Sequence, residues 1–210
     1  MRIIEENYNW NGGFSRRSKT DYIALHHAEA VSCTVQDIHQ WHLSNGWTGI
    51  GYHFFVRKDG SIYRGRPIWT VGAHVQGMND RSIGICAEGD YHNKDTVMPE
   101  AQKKAIKELL EYLKGLYPNA KVAGHREIGD SNCPGQYYPL EEMKNYESEA
   151  EKMQEFKDIE GHYAEEHIQK LQAMGIVNGD ENGNFRPNDT ITRADAAIMV
   201  ANAVRYITGK

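Results

Sequence analysis

Short apolar strand runs alternate with amphipathic helical segments through the first two thirds of this chain, and that alternation leaves few folds open. Tyr22-Ile23-Ala24-Leu25-His26-His27 reads as a buried strand. A helix is expected over about 35–44, with Thr34 as its N-cap and Val35, Ile38 and Trp41 at helical spacing. Residues 52–56 and 61–64 flank Asp59-Gly60, which signals a β-hairpin. Ser82-Ile83-Gly84-Ile85-Cys86-Ala87 is a further strand. Pro99 opens a long helix in which Ile106, Leu109, Leu110, Leu113 and Tyr117 form one apolar stripe, and Pro118-Asn119 stops it. Residues 121–125 make a last short strand. The expectation is an α/β domain with a mixed central sheet flanked by helices.

The pattern changes after about residue 140. A Glu-rich polar stretch over 147–155 reads as a linker, and 156–207 read as helix, Gly-rich loop, helix, a small all-α module. Charge divides at the same place. Residues 1–146 hold 17 basic and 17 acidic side chains, whereas 147–210 hold 7 and 12, so the second part carries the whole net charge of −5. Two domains are therefore expected, 1–146 and 156–210. Neither is basic enough to bind nucleic acid by neutralising phosphates. No window approaches the ~18 consecutive apolar residues of a membrane span. Met1-Arg2-Ile3-Ile4-Glu5-Glu6 lacks the apolar core of a secretory signal, so synthesis in the cytoplasm without a visible export route is expected. The cysteines are Cys33, Cys86 and Cys133, too few and too odd a number for a disulfide framework.

Alternation along the first strand points His26 and His27 to opposite faces. His27 shares a face with Ile23 and Leu25 and reads as a core histidine. His26, with Tyr22 and Ala24, is either a ligand or a second core histidine. Gly124-His125-Arg126-Glu127 and Ser131-Asn132-Cys133-Pro134-Gly135 form a sharper segment, because His and Cys both favour zinc. His26, His125 and Cys133 would make a three-ligand site with a fourth position open to water; the spacing alone is equally consistent with a buried free thiol near a solvated histidine.

Over about residues 20–140 the chain resembles the zinc N-acetylmuramoyl-L-alanine amidases, the family that includes phage amidase-type lysozymes and the peptidoglycan recognition proteins. The resemblance lies in Leu25-His26-His27, Gln40-Trp41-His42, Gly46-Trp47, Ile50-Gly51-Tyr52-His53-Phe54, Asp59-Gly60-Ser61, Val71-Gly72-Ala73-His74, Asn79, Ser82-Ile83-Gly84-Ile85, Gly124-His125-Arg126-Glu127 and Cys133-Pro134-Gly135, in order. It implies one Zn2+ per chain on His26, His125 and Cys133, and hydrolysis of the amide between N-acetylmuramic acid and L-alanine by zinc-activated water. It implies Tyr52 as an active-site tyrosine, Ser131 as a donor to the oxyanion, and His74 and Asn79 on the substrate groove. Relatives that only bind peptidoglycan usually lack the thiolate, so Cys133 favours the enzyme over a non-catalytic binding protein using the same groove. Two departures stand out. Cys86 occupies a position where some members carry a Glu base and reads as a buried structural thiol. Ser131 stands where Lys or Thr is common.

Residues 156–207 resemble a surface-layer homology module, through Phe156-Lys157-Asp158, Gly161-His162-Tyr163-Ala164, Gly175-Ile176-Val177-Asn178-Gly179, Asn182-Gly183-Asn184-Phe185-Arg186-Pro187 and Thr192-Arg193-Ala194-Asp195. Such modules bind secondary cell-wall polymers. The resemblance implies Arg193 gripping a sugar carboxylate through its guanidinium fork, flanked by Asp158 and Tyr163. Asp195 stands where Glu is usual. The module occurs once here, near the lower size limit for independent stability, so docking on the amidase domain or a homo-oligomer sharing one module per chain is expected. The whole reads as an endolysin that cuts peptidoglycan at the cell wall after release, with a bacterial autolysin as the alternative origin.

Overall fold

In the computed structural model, residues 1–146 and 156–208 are described. The linker expected over 147–155 lies outside them. The chain divides into two compact units, Arg2–Tyr146 and Glu147–Lys210.

The first unit is built on a six-stranded sheet. Its strands are β1 (Ile3–Ile4), β2 (Tyr22–His27), β3 (Phe54–Val56), β4 (Ile62–Arg64), β5 (Ser82–Ala87) and β6 (Lys121–Gly124), in the spatial order β1-β4-β3-β5-β2-β6. Only the β3–β4 hairpin is antiparallel; the other neighbours run parallel. Strand β2 pairs over its whole length with β5, from Tyr22↔Ser82 to His27↔Ala87, and on its other side with β6, from Tyr22↔Lys121 to Leu25↔Gly124.

Both faces of the sheet are covered, which is why the central strands read as near-continuous apolar runs. Ile23, Leu25, Phe54, Val56, Ile83 and Ile85 meet the apolar stripe of α2 (Glu100–Leu116), where Ile106, Leu109, Leu110 and Leu113 are buried. Phe55 and Cys86 lie in a second core with Ile50 and with Val35 and Ile38 of α1 (Val35–Ser44). Helix α1 starts where its sequence says. Thr34 Oγ1 accepts from the Asp37 amide at 3.1 Å, and Asp37 Oδ2 accepts from the Thr34 amide at 2.8 Å, a capping box. All three cysteines are free.

Three local features depart from the expected pattern. Tyr52 and His53 precede β3 instead of lying in it, although the Tyr52 and His53 carbonyls still accept from the Arg66 and Gly65 amides. A Cβ on Gly65 would come within 2.3 Å of the Tyr52 oxygen, so the backbones approach there more closely than side chains allow. Strand β6 stops at Gly124, and His125 begins the one-turn helix α3 (His125–Ile128), because the Glu127 carboxylate accepts from the Gly124 amide at 2.8 Å and turns the chain. The two-residue β1 and the short α4 (Leu140–Lys144) are too brief to show a period.

The second unit contains α5 (Glu165–Ala173) and α6 (Arg193–Thr208) around Phe156, Ile159, Ile168, Ile176 and Val177, with Leu171, Phe185 and Met199 packed against them. Asp180 Oδ1 accepts from the Asn182 and Asn184 amides and closes the Gly-rich loop. Thr192 caps α6: its hydroxyl donates to Asp195 and accepts from the Asp195 amide.

Glu88, just past β5, ties the sheet's end together. Its buried carboxylate accepts from the Cys33 amide at 3.0 Å, the Ser32 hydroxyl at 3.1 Å, the Lys58 amide at 2.9 Å and the Arg57 guanidinium at 3.3 Å. Burial alone would raise its pKa, but the Lys58, Arg57 and Cys33 donors outweigh burial and hold it below the usual carboxylate value. A depressed native pKa stabilises the fold above the unfolded value and loses that contribution as pH falls through the native one. Glu88→Ala should therefore cost about 2–4 kcal/mol at pH 7 by chemical denaturation, and the gap to wild type should narrow near pH 3.

Candidate metal centre

The in-register pairing of β2 with β6 sets Leu25 beside Gly124, so the next residues, His26 within β2 and His125 at the start of α3, lie side by side. Their rings are 4.8 Å apart. Cys133 comes back to them from the loop after α3. One ligand atom from each of His26, His125 and Cys133 lies within 4.8 Å of the others. His26 Nδ1 is 3.6 Å from Cys133 Sγ. A tetrahedral zinc, with bonds of about 2.05 Å to nitrogen and 2.3 Å to sulfur, sets its N···S edge at about 3.6 Å. The donor set and its spacing therefore fit zinc without rearrangement of that pair.

The loop carrying Cys133 is pinned on several sides. The His27 amide points at Cys133 Sγ from 3.4 Å, the Arg126 amide donates to the Cys133 carbonyl at 2.8 Å, and the Arg126 guanidinium donates to the Gly135 carbonyl at 2.9 Å. Gly135 has φ +96°, and a Cβ there would sit 2.4 Å from the Tyr91 backbone, so only glycine fits. Burial pushes the Cys133 thiol up to about 12 and holds the His26 imidazole well below its usual value, which keeps that ring neutral and able to ligate.

Around this centre the expected residues take different places. The Tyr52 ring is 5.0 Å from that of His26 and half-buried, and its hydroxyl lies beside the Cys86 thiol. Burial raises its pKa well above the ordinary phenol, so it holds its proton. Cys86 is fully buried, in keeping with a structural thiol. Ser131 Oγ accepts from the Cys133 amide at 3.0 Å, so it first shapes the ligand loop. His74 and Asn79, expected on the substrate groove, stand close to this centre and to each other. His74 is 8% exposed and directs Nδ1 to His26 Nε2 at 3.1 Å; Asn79 Oδ1 accepts from the His74 and Val75 amides at 2.7 and 2.9 Å. His74 is thus buried against His26, while Asn79 is half-buried and ties down the His74-Val75 backbone. His42, given no role by sequence reasoning, accepts the Gly51 amide on Nδ1 at 2.8 Å and stands 5.5 Å from the Tyr52 ring. Burial lowers its pKa to about 4, so it stays neutral.

In the second unit, Tyr163 is 93% exposed and stacks on His162. Arg193 is exposed at the first turn of α6. Its neighbours are engaged elsewhere: Asp189 faces Arg186 at 3.8 Å, and Asp195 is held by Thr192. Both Asp158 oxygens are occupied, accepting from the Phe185 and Arg186 amides at 2.8 and 2.7 Å. Asp158 thus braces the Phe185-Arg186 backbone while remaining exposed.

Comparison with known proteins agrees with this architecture. Residues 16–136, more than half of the chain, match the N-acetylmuramoyl-L-alanine amidase family, and residues 155–197 match the S-layer homology domain. The endolysin of Enterobacteria phage K11 is 35% identical over 129 residues, covering 58% of this chain and 84% of the relative. The endolysin of Escherichia phage T7 is 35% identical over 127 residues, with the same coverage. Among solved structures, the N-acetylmuramoyl-L-alanine amidase LysC from Clostridium intestinale is 38% identical with a TM-score of 0.65, over 69% of this chain and 95% of that one. Drosophila PGRP-LB is 28% identical with a TM-score of 0.62, over 69% and 94%. Sheet, site and relatives together define a peptidoglycan amidase. The chain belongs to the N-acetylmuramoyl-L-alanine amidase family and is endolysin-like, with a surface-layer homology domain towards its C-terminus. Among the described residues no helix is long and apolar enough to cross a membrane.

Proposed function

We propose that this amidase works through one zinc ion held by His26, His125 and Cys133, and that a catalytic unit over 1–146 is joined by a linker over 147–155 to a wall-anchoring module over 156–210. The observation that carries the zinc reading is the convergence of two imidazole nitrogens and one thiol within 4.8 Å at the ends of adjacent parallel strands. Three protein ligands leave a fourth position open, the arrangement of catalytic rather than structural zinc. When bound, zinc lowers the pKa of water towards neutrality and polarises a carbonyl.

The chain's own residues supply the rest. The muramoyl–alanine amide would lie with its carbonyl oxygen towards Tyr52, whose hydroxyl turns from Cys86 to donate a hydrogen bond to the developing oxyanion and then passes a proton to the alanine nitrogen while taking up the one the attacking water releases, so that it ends protonated. Ser131 keeps its oxygen on the Cys133 amide, which leaves its own hydrogen for the same carbonyl. Neutral His42 braces the Gly51-Tyr52 segment. In the second unit the exposed Arg193 fork would take a carboxylate of the secondary wall polymer, with Asp158 and the exposed Tyr163 ring as the flanking contacts. Because that part of the chain is net negative, a local contact and not bulk charge must hold an anionic polymer. Action at the cell wall agrees with the endolysin relatives and with the surface-layer homology domain.

Metal content tests the core of this reading. One zinc per chain is expected by elemental analysis, with activity lost to chelators and restored by zinc; Cys133→Ser should fold and lose most activity, and full activity in that variant would remove the zinc mechanism.

Turnover on soluble muropeptides tests Tyr52. Tyr52→Phe should retain metal and fold while slowing turnover by about 10²–10³-fold, and a loss under about threefold would reduce Tyr52 to packing.

Pull-down on intact walls tests the anchor. Arg193→Ala should weaken binding as much as removing the module does, while hydrolysis of soluble muropeptides is unchanged. Arg193→Lys should recover binding only in part, since an ammonium lacks the planar fork. Unchanged wall binding by Arg193→Ala and by the truncated chain would end the anchoring role.

A further inference from the structure

The metal-binding reading makes a demand on His26 that the ligand set alone does not meet. A neutral imidazole carries one hydrogen. If Nδ1 is to face a cation beside Cys133 Sγ, that hydrogen must sit on Nε2, and a buried N–H needs an acceptor. His26 is 1% exposed, so water is not at hand. Nδ1 of His74 lies 3.1 Å from His26 Nε2.

The His74 ring is held in place, and with Nδ1 accepting, its own hydrogen lies on Nε2, a buried atom with no hydrogen-bond partner among the described residues. Its ring fills a slot left by two glycines from different parts of the chain. A Cβ on Gly72 would come within 2.3 Å of His74 Cδ2, and one on Gly84, in β5, within 2.8 Å of His74 Cγ. The ring stands perpendicular to His26, at 89° and 5.0 Å between centroids, which puts nitrogen against nitrogen instead of stacking the faces. On its far side it meets His53 edge-on, at 83° and 5.6 Å. His53 is itself locked, accepting the Gly84 amide on Nδ1 at 3.0 Å with Nε2 3.0 Å from the Thr70 carbonyl. The His74 backbone is tied down by Asn79.

We propose that His74 is a positioning residue for the metal centre: by accepting from His26 Nε2 it selects the His26 tautomer that presents Nδ1 to the cation and holds that ring in place. The proposal rests on the zinc reading and extends it to residues that do not touch the metal. It also gives Gly72 and Gly84 a role, since a side chain at either would displace the acceptor. An imidazole is an uncharged acceptor, unlike the carboxylate often found behind metal-bound histidine, so it orients the ligand without adding negative charge behind it.

The test is zinc affinity, measured by competition with a chromophoric chelator on the full chain, together with the absorption bands of the cobalt(II)-loaded form. His74→Phe keeps the ring volume and removes the acceptor; it should bind zinc about 10–100-fold more weakly and shift the cobalt bands. His74→Asn can place its amide oxygen where Nδ1 lies, and should bring affinity back to within about threefold of wild type and restore the bands. Circular dichroism of the metal-free proteins checks folding, and His74→Ala, which crowds nothing, replaces His74→Phe if that variant does not fold. Wild-type affinity and bands in the acceptor-less variant would overturn the positioning role alone. So would a His74→Asn variant as weak as His74→Phe, since ring packing would then be the whole effect. A wild-type chain that binds no zinc would overturn the metal reading and the proposal with it.

Discussion

The parallel pairing of β2 with β5 on one side and β6 on the other is the constraint from which the site follows. Slipping β2 by one residue would turn Ile23 and Leu25 away from α2 and send His26 into the core in their place. Burial on both faces makes that slip costly, so the apolar pattern that stabilises the sheet also fixes where His26 emerges. The β6 pairing then brings His125 beside it, and the turn made by Glu127 and Gly124 starts α3 at that proposed ligand. Only Cys133 depends on a loop, and that loop is held by backbone contacts to His27 and Arg126.

The chemistry of the centre follows from its burial. His26, His53, His74 and His42 all have their pKa values lowered chiefly by desolvation, so they meet as neutral rings and do not repel one another as cations. Two imidazoles and one thiol form a borderline-soft donor set without a carboxylate, which suits zinc and disfavours the hard cations that take oxygen ligands. The same burial keeps Tyr52 protonated, as a donor to an oxyanion must be.

Much of this was legible in the sequence because it rests on local rules. Thr34 with Asp37 announced the start of α1, Asp59-Gly60 announced the hairpin, and the stripe from Ile106 to Leu113 announced the face of α2. Alternation separated His26 from His27 correctly: His27 accepts the Tyr91 amide on the α2 side, while His26 pairs in register with Cys86 of the second core. What sequence reasoning missed depends on contacts between distant segments. The acceptor role of His74 needs Gly84, ten residues away on another element, and the Asn79 contacts need the backbone of the loop it closes. The apolar pattern runs the last strand on to His125, because the local capping by Glu127 carries no apolar signal. Nothing in the spacing of Asp158 showed that its carboxylate would be spent on the Phe185 and Arg186 amides.

The position of a bound zinc ion is decisive. Crystals of the zinc-loaded protein measured on both sides of the zinc absorption edge give that position directly. One anomalous peak per chain, within bonding distance of His26 Nδ1, His125 and Cys133 Sγ and with a fourth position open, is the expected result. A peak elsewhere, no peak, or a fourth protein ligand closing the site would contradict it.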